Sequence, residues 1–188
     1  MFSDPVKNLK QLGLREDMIV ADLGAGTGFY SIIAAKMVPR GKVYCIEIQK
    51  DFLNAIKNKA VELNLNNLEC FLGDIEKKGG TKIKDEIVDV AIVSNILFQV
   101  ENKDSFVDEI KRILKIGGSV LLIDWLDESS ILGSKLERVI PKDKAREMFE
   151  SKGFVFEREI DAGDHHYGMI LKKPARNAFS IADAGGEK

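Results

Sequence analysis

From residue 18 onward the chain switches between two hydrophobic periods. Short apolar runs near 18–23, 43–48, 68–72, 88–94 and 119–124 have the length and composition of strands. Between them the apolar positions move to helical spacing: Phe52, Ile56, Ala60 and Leu63 share one helix face, and Phe106, Ile110, Ile113 and Leu114 share another. Gly117 and Gly118 of "KIGG" are read as the stop after the second of these helices, and Gly153 as the stop after "DKAREMFESK". Strands alternating with amphipathic helices predict βαβ units, and so a parallel sheet with both faces covered. Near the end the pattern changes. "FVFEREID" (Phe154–Asp161) and "YGMILKK" (Tyr167–Lys173) are separated only by "AGDHH", too short for a crossover helix, so they are expected to form an antiparallel hairpin. The fold class that follows is α/β: a Rossmann-like doubly wound sheet of seven strands, mostly parallel, with an antiparallel strand supplied by the C-terminal hairpin. Residues 1–174 read as one domain, and 175–188, rich in Ala and Gly with little amphipathic pattern, as a flexible tail.

Composition narrows the function classes. With 28 basic and 30 acidic residues the net charge is −2, and the signs alternate along the helices, which is no nucleic-acid footprint. The densest basic stretch, Lys135 to Arg146, is interleaved with Glu137 and Asp143 and reads as a solvated face. The longest apolar run, Ile116 to Leu126, is broken by Gly117, Gly118 and Asp124, so no membrane span is expected. The opening "MFSDPVKN" lacks the basic start and apolar stretch of a secretion signal, which predicts a cytoplasmic protein. Cys45 and Cys70 fall in strand-like runs, where cysteine acts as a small buried hydrophobe, and no metal site is expected. The oligomeric state is not legible.

In an open parallel sheet, ligands lie beyond the carboxyl ends of the strands. The first strand ends in Asp22-Leu23-Gly24-Ala25-Gly26-Thr27-Gly28, the second in Glu47, the third in Gly73-Asp74-Ile75, the fourth in Ser94-Asn95 and the fifth in Asp124. A glycine loop between strand and helix suggests a nucleotide-like ligand, but the dinucleotide pattern is G-x-G-x-x-G and this loop reads G-x-G-x-G. Glu47 lies 23 positions beyond Gly24, where an acid can accept both hydroxyls of a ribose; the alternative is a solvated strand end. Asp74 can accept an exocyclic amine of adenine with Ile75 packed on the ring, although an acid after glycine is also ordinary turn chemistry.

Taken in order, "VADLGAGTGFYS", Glu47, "FLGDIE", "VDVAIVSN" and "LKIGGSVLLIDW" resemble the successive motifs of the class I S-adenosylmethionine-dependent methyltransferases. The resemblance covers about residues 15–173. The opening "FSDPVKNLKQLGL" and "GAGTGFYS" are most similar to the ubiquinone and menaquinone biosynthesis branch, a broad group with many small-molecule acceptors. The resemblance implies S-adenosylmethionine as cofactor, with S-adenosylhomocysteine as its product. It implies that Asp22 and the turn Gly24, Ala25, Gly26, Gly28 hold the methionyl part, with Asn95 beside it. It further implies Glu47 on the ribose, Asp74 and Ile75 at the adenine, and Ile48 on the adenine face. S-adenosylmethionine has no pyrophosphate, so such a loop needs close backbone approach more than an anion-holding helix terminus.

The acceptor is less specified. Amino methyltransferases of nucleic-acid bases often carry Asn-Pro-Pro-Tyr at the fourth strand end, where this chain has Ser94-Asn95-Ile96-Leu97-Phe98. Arsenite methyltransferases depend on several cysteines, which Cys45 and Cys70 in strand interiors do not supply. The expectation is a small, partly apolar acceptor, met by the segment before residue 17, the Ile96–Val100 turn and the Leu126–Ile140 link. A non-catalytic cofactor-binding protein and a protein or RNA methyltransferase are the alternatives. Both histidines, His165 and His166, sit in the hairpin connection, which must turn at the ligand edge of the sheet. One of them is a candidate acceptor-side base; the alternative is a pair of hairpin residues, one packed and one solvated.

Overall fold

A computed structural model describes residues 3–126 and 139–175. In chain order the elements are α1 (Pro5–Leu12), β1 (Ile19–Leu23), α2 (Phe29–Met37), β2 (Lys42–Glu47), α3 (Lys50–Glu62) and β3 (Leu68–Leu72). There follow β4 (Val88–Ser94), α4 (Lys103–Ile113), β5 (Leu114–Trp125), α5 (Lys142–Glu150), β6 (Val155–Ile160) and β7 (His166–Lys172). The tail from 176 and most of the Leu126–Ile140 link lie outside the described residues. Among the described residues no helix is long and apolar enough to cross a membrane.

The strands form one seven-stranded sheet in the order β3-β2-β1-β4-β5-β7-β6, parallel except where β7 runs antiparallel to both β5 and β6. The order reverses between β1 and β4, so their carboxyl ends diverge there and leave the crevice in which such sheets take ligands. Burial on both faces explains the near-continuous apolar β1, β4 and β5. On one face α1 and α2 bring Leu9, Tyr30 and Ala34 against Val20, Ile92, Ile123 and Ile170. Leu53 and Ile56 of α3 pack on Cys45 on the same side. On the other face α4 and α5 bury Phe106, Ile110, Ile113 and Phe149 against Ala91, Val93 and Leu122. Each large side chain so buried contributes about 1.5 to 3 kcal/mol.

One reading of the sequence changes. Leu114 is not the last residue of a helical face: its backbone is already extended (φ −71°, ψ 137°), α4 ends at Ile113, and β5 begins five residues before the expected start. The "KIGG" glycines therefore lie inside a strand. The register slips between Leu114 opposite Val88 and Ser119 opposite Val90, and Gly117, at φ +76°, takes the positive angle of the resulting bulge. In addition, the segment before residue 17 contains a helix. Asp4 caps α1 through its carboxylate, which accepts from the Val6 and Lys7 amides; Pro5 is its first residue and Gly13 ends it. The Lys7 ammonium on Asp161 and the Gln11 amide on the Asp161 carbonyl tie α1 to the hairpin.

Candidate active site

At the carboxyl ends of β1 to β4 lies a cleft of about 460 Å³, within the range of small-ligand sites. Asp22, Gly24, Ala25, Gly26, Glu47, Ile48, Asp74, Ile75 and Asn95 all line it. Residues that sequence reasoning did not single out line it as well, namely Phe29, Tyr30, Phe52 and Glu76; Ser94, from the expected fourth strand end, and Gln99, from the expected Ile96–Val100 turn, join them.

The loop after β1 is held by its own neighbours. The amides of Gly24 and Ala25 donate to the Ile46 carbonyl at 2.9 and 3.0 Å, and that of Gly28 donates to Ala25 at 2.8 Å. The Gly26 amide donates to Glu47 Oε2 at 2.8 Å. Glu47, only 6% exposed, also receives the Ile48 and Gln49 amides on Oε1, both at 2.9 Å. It therefore fastens the β1 loop to the start of α3, beyond its expected role as a ribose acceptor. A Cβ on Gly26 would meet nothing within 4 Å, since that side of the loop opens on free space.

Gly28 differs from the other loop glycines. It does not line the cleft; it is the N-cap of α2 at φ +78°, and a Cβ there would lie 2.5 Å from Ile56 Cγ1. Its smallness lets α2 and α3 approach each other, which is a packing role.

Asp22 is 3% exposed and accepts the Ser31 hydroxyl at 2.5 Å. Burial pushes its carboxyl up to about 6, against the lowering effect of Ser31, and the nearby Glu47 charge adds to the rise. Asp74 is more open. Its Oδ2 pairs with the Lys77 ammonium at 2.9 Å and its Oδ1 accepts the Glu76 amide at 3.0 Å, which together hold its carboxyl below the usual value. Glu76 in turn accepts the Glu101 and Asn102 amides, linking the β3 loop to the start of α4. The described lining thus carries the carboxylates of Asp22, Glu47, Asp74 and Glu76 and no lysine, arginine or histidine.

At the β4 end Asn95 turns in the left-handed region (φ +53°), its amide bonded to the Ile123 carbonyl at 2.9 Å. Its side-chain Oδ1 is buried without a partner. The next turn is braced from below by Asp124, 1% exposed, whose carboxylate accepts Leu97 N at 3.0 Å and Trp125 N at 2.8 Å and is raised by burial to about 6. Tyr30 rests on α1: its hydroxyl receives Asn8 Nδ2 at 2.8 Å and lies 3.1 Å from the Ser3 hydroxyl. These links join residues far apart in sequence, and no local motif marks them.

Neither histidine lines the cleft. His165 is exposed, and His166, at 5% exposure, packs on Trp125 with ring centroids 4.2 Å apart. The expected roles therefore do not follow from the cleft itself. Cys45 and Cys70 are register partners in β2 and β3, one buried and one half-buried; the hydrogen bond between their thiols lowers that of Cys70 and raises that of Cys45.

Comparison with known proteins agrees with this geometry. A family model described as a methyltransferase domain matches residues 14–153. The fold superposes on a S-adenosylmethionine-dependent methyltransferase from Aquifex aeolicus with a TM-score of 0.82 and 29% identity, covering 92% of this chain and 90% of that one. The ribosomal protein L11 methyltransferase of Dictyoglomus thermophilum is 32% identical over 68% of this chain. The ubiquinone/menaquinone biosynthesis C-methyltransferase of Cupriavidus necator is 26% identical over 83% of it. The chain spans 37% and 59% of the lengths of these two relatives. Matched over most of its length by the domain model, and carrying the family's sheet order and glycine loop, the chain belongs to the class I S-adenosylmethionine-dependent methyltransferases.

Proposed function

We propose that the protein transfers the methyl group of S-adenosylmethionine to a small, partly apolar acceptor. The observation that carries this reading is the chemistry of the loop. In a dinucleotide site the loop amides and helix terminus face a pyrophosphate. Here the amides of Gly24, Ala25 and Gly26 are already bonded to Ile46 and Glu47, and the described lining of the cleft carries four carboxylates, one of which, Asp74, is paired with the Lys77 ammonium, and no cationic side chain. Such a site repels phosphate and favours a ligand with cationic groups, which S-adenosylmethionine has in its ammonium and sulfonium.

The residues present fit that cofactor. Asp22 and the unpartnered Asn95 Oδ1 would receive the ammonium, an ion that brings N–H donors and a charge to offset the buried carboxylate. Glu47 has acceptor capacity left for ribose hydroxyls beyond the three amides it holds. Ile48 and Phe29, exposed at 64% and 61%, would cover the base and the mouth of the cleft, while Asp74 would accept the adenine amine. When bound, the cofactor supplies a methyl group on a positively charged sulfur. What the protein adds is alignment of donor and acceptor and exclusion of water. Ile96 and Val100 give the β4 end an apolar wall, which supports an acceptor with an apolar part.

The test is turnover: protein, S-adenosylmethionine and fractionated metabolite extract are incubated and S-adenosylhomocysteine is quantified. Production that depends on one low-molecular-mass fraction supports the reading. Tight cofactor binding with no turnover on any metabolite, protein or RNA fraction would instead make the protein a non-catalytic binder.

A further inference from the structure

Among the described residues, the buried side-chain polar atoms left without a partner belong to Asn8, Asn95 and His166. Asn95 is accounted for by the cofactor reading. His166 is not: both of its ring nitrogens are buried and unbonded. A neutral imidazole carries one donor and one acceptor, and leaving both unmet inside a protein is costly. No neighbouring group on β5 supplies them. The carboxylate of Asp124 is taken up by the amides of Leu97 and Trp125, and Trp125 meets the imidazole ring to ring.

The position of this residue is informative. Ser94, Ile123 and Gly168 are register neighbours across β4, β5 and β7, so they lie on one face of the sheet. Trp125 and His166 pair one pleat further toward the ligand edge, on that same face. It is the face on which Tyr30 packs, and both Tyr30 and Ser94 line the cleft. The unpartnered imidazole thus stands two strand spacings across and two residues along from the Ser94 wall, about 12 Å away.

We propose that the methyl acceptor lies between the Ser94 wall and the β5–β7 corner, and that it is an uncharged molecule with an apolar body and one O–H or N–H group bonded to His166. This inference rests on the methyl-transfer reading above. The charge pattern selects against the other acceptors: a carboxylate or phosphate would enter beside Asp22, Glu47 and Glu76, and the described cation at this edge, the Lys77 ammonium, is already paired with Asp74. In the transfer, the acceptor's O–H or N–H bond breaks and its hydrogen passes as a proton to a ring nitrogen of His166. The electron pair left behind forms the new bond to the methyl carbon. The pair of the breaking carbon–sulfur bond stays on sulfur, which ends neutral, and the imidazolium returns its proton to water.

The experiment uses the full chain with its histidines labelled with nitrogen-15, saturated with S-adenosylhomocysteine; H165Q assigns the two sets of ring signals. The probes are 4-tert-butylphenol and 4-tert-butylbenzoate, matched in shape and different in charge. The expected result is that the phenol shifts the His166 ring nitrogens at about 1 mM or below, while the benzoate binds about tenfold more weakly. In H166F, which keeps the ring contact with Trp125, phenol affinity should fall about fivefold or more while calorimetric affinity for S-adenosylhomocysteine stays within about twofold. Equal or tighter benzoate binding, no phenol binding, or phenol binding unchanged in H166F overturns the proposal. If H166F fails to fold, the ring-nitrogen shifts and the phenol-to-benzoate ratio of the unaltered chain decide it. Failure of the unaltered protein to bind S-adenosylhomocysteine refutes the methyl-transfer reading and this one with it. Cofactor binding with failed probe arms refutes this one alone.

Discussion

The ends of β1, β2 and β3 and the ends of β4, β5 and β7 border the same edge of one sheet, yet they are built differently. In the first region almost every polar group already has a partner: three loop amides on Ile46 and Glu47, Glu47 on three amides, Asp22 on Ser31, Asp74 on Lys77 and Glu76. In the second, Asn95 Oδ1 and both nitrogens of His166 are buried and empty-handed. A site held by its own bonds is ready for a ligand that is always the same. One with unmet bonds gets its last partners from the ligand, and its specificity lies there. The β1–β3 edge is preformed, and the β4–β5–β7 edge is completed by what binds: on the readings above, the cofactor's ammonium at Asn95 and the acceptor at His166.

The largest break in that comparison is expected at Gly28, which supports the preformed side from between α2 and α3. Gly28→Val sets a branched side chain at φ +78° and 2.5 Å from Ile56 Cγ1. It should destabilise the fold by about 3 kcal/mol or more, read as a fall in the urea midpoint with the slope unchanged. A variant as stable as the unaltered chain would show that α2 and α3 need no close approach there.

Glu47→Gln tests the fastening itself. Losing the charge weakens three amide contacts at once and leaves an NH₂ facing backbone donors. Affinity for S-adenosylhomocysteine should fall about 10- to 100-fold by calorimetry. If affinity is unchanged, neither the bracing nor the ribose role is correct.

How much of this was visible in the sequence follows from how local each feature is. The glycine loop, Glu47 and Asp74 each sit at the end of an apolar run, so their places beside one cleft follow from the strand pattern alone. The seven-strand sheet followed from the same alternation, and the antiparallel strand from a connection too short to cross over. The caps of α1, Asp4 and Pro5 at one end and Gly13 at the other, are legible in the sequence as the limits of a helix. By contrast, "LKIGG" resembles a helix stop, and only pairing with β4 reveals that the strand starts at Leu114 and absorbs the glycines in a bulge. Asp124 under Leu97, Glu76 on Asn102 and Tyr30 on Asn8 join segments that only the folded topology brings together. The same holds for His166: the sequence placed it near the ligand edge, and its contact with Trp125 and its unbonded nitrogens needed coordinates.

A smaller effect separates the two regions by pH. Asp22, whose carboxyl is raised to about 6, is expected to face the cofactor's ammonium. Because its folded value exceeds that of the unfolded chain, ionisation opposes folding, and this penalty grows as pH rises from about 4 to 6. Binding of a cation has the opposite sign: it requires the carboxylate and weakens as pH falls through 6. Affinity for S-adenosylhomocysteine should therefore drop about tenfold from pH 7.5 to pH 5. In Asp22→Asn the affinity should be lower at pH 7.5 and nearly flat across the same range. A pH profile identical in the two proteins would remove Asp22 from the ammonium site.

The most direct measurement is a pair of calorimetric titrations of the unaltered protein, one with S-adenosylhomocysteine and one with a nicotinamide dinucleotide, at pH 7.5 and low salt. The loop amides spent on Ile46 and Glu47 and the acidic cleft, whose described lining includes no cationic side chain, call for micromolar or tighter binding of the first and no measurable binding of the second. Comparable affinity for the dinucleotide, or no heat with S-adenosylhomocysteine, would contradict the assignment of this cleft.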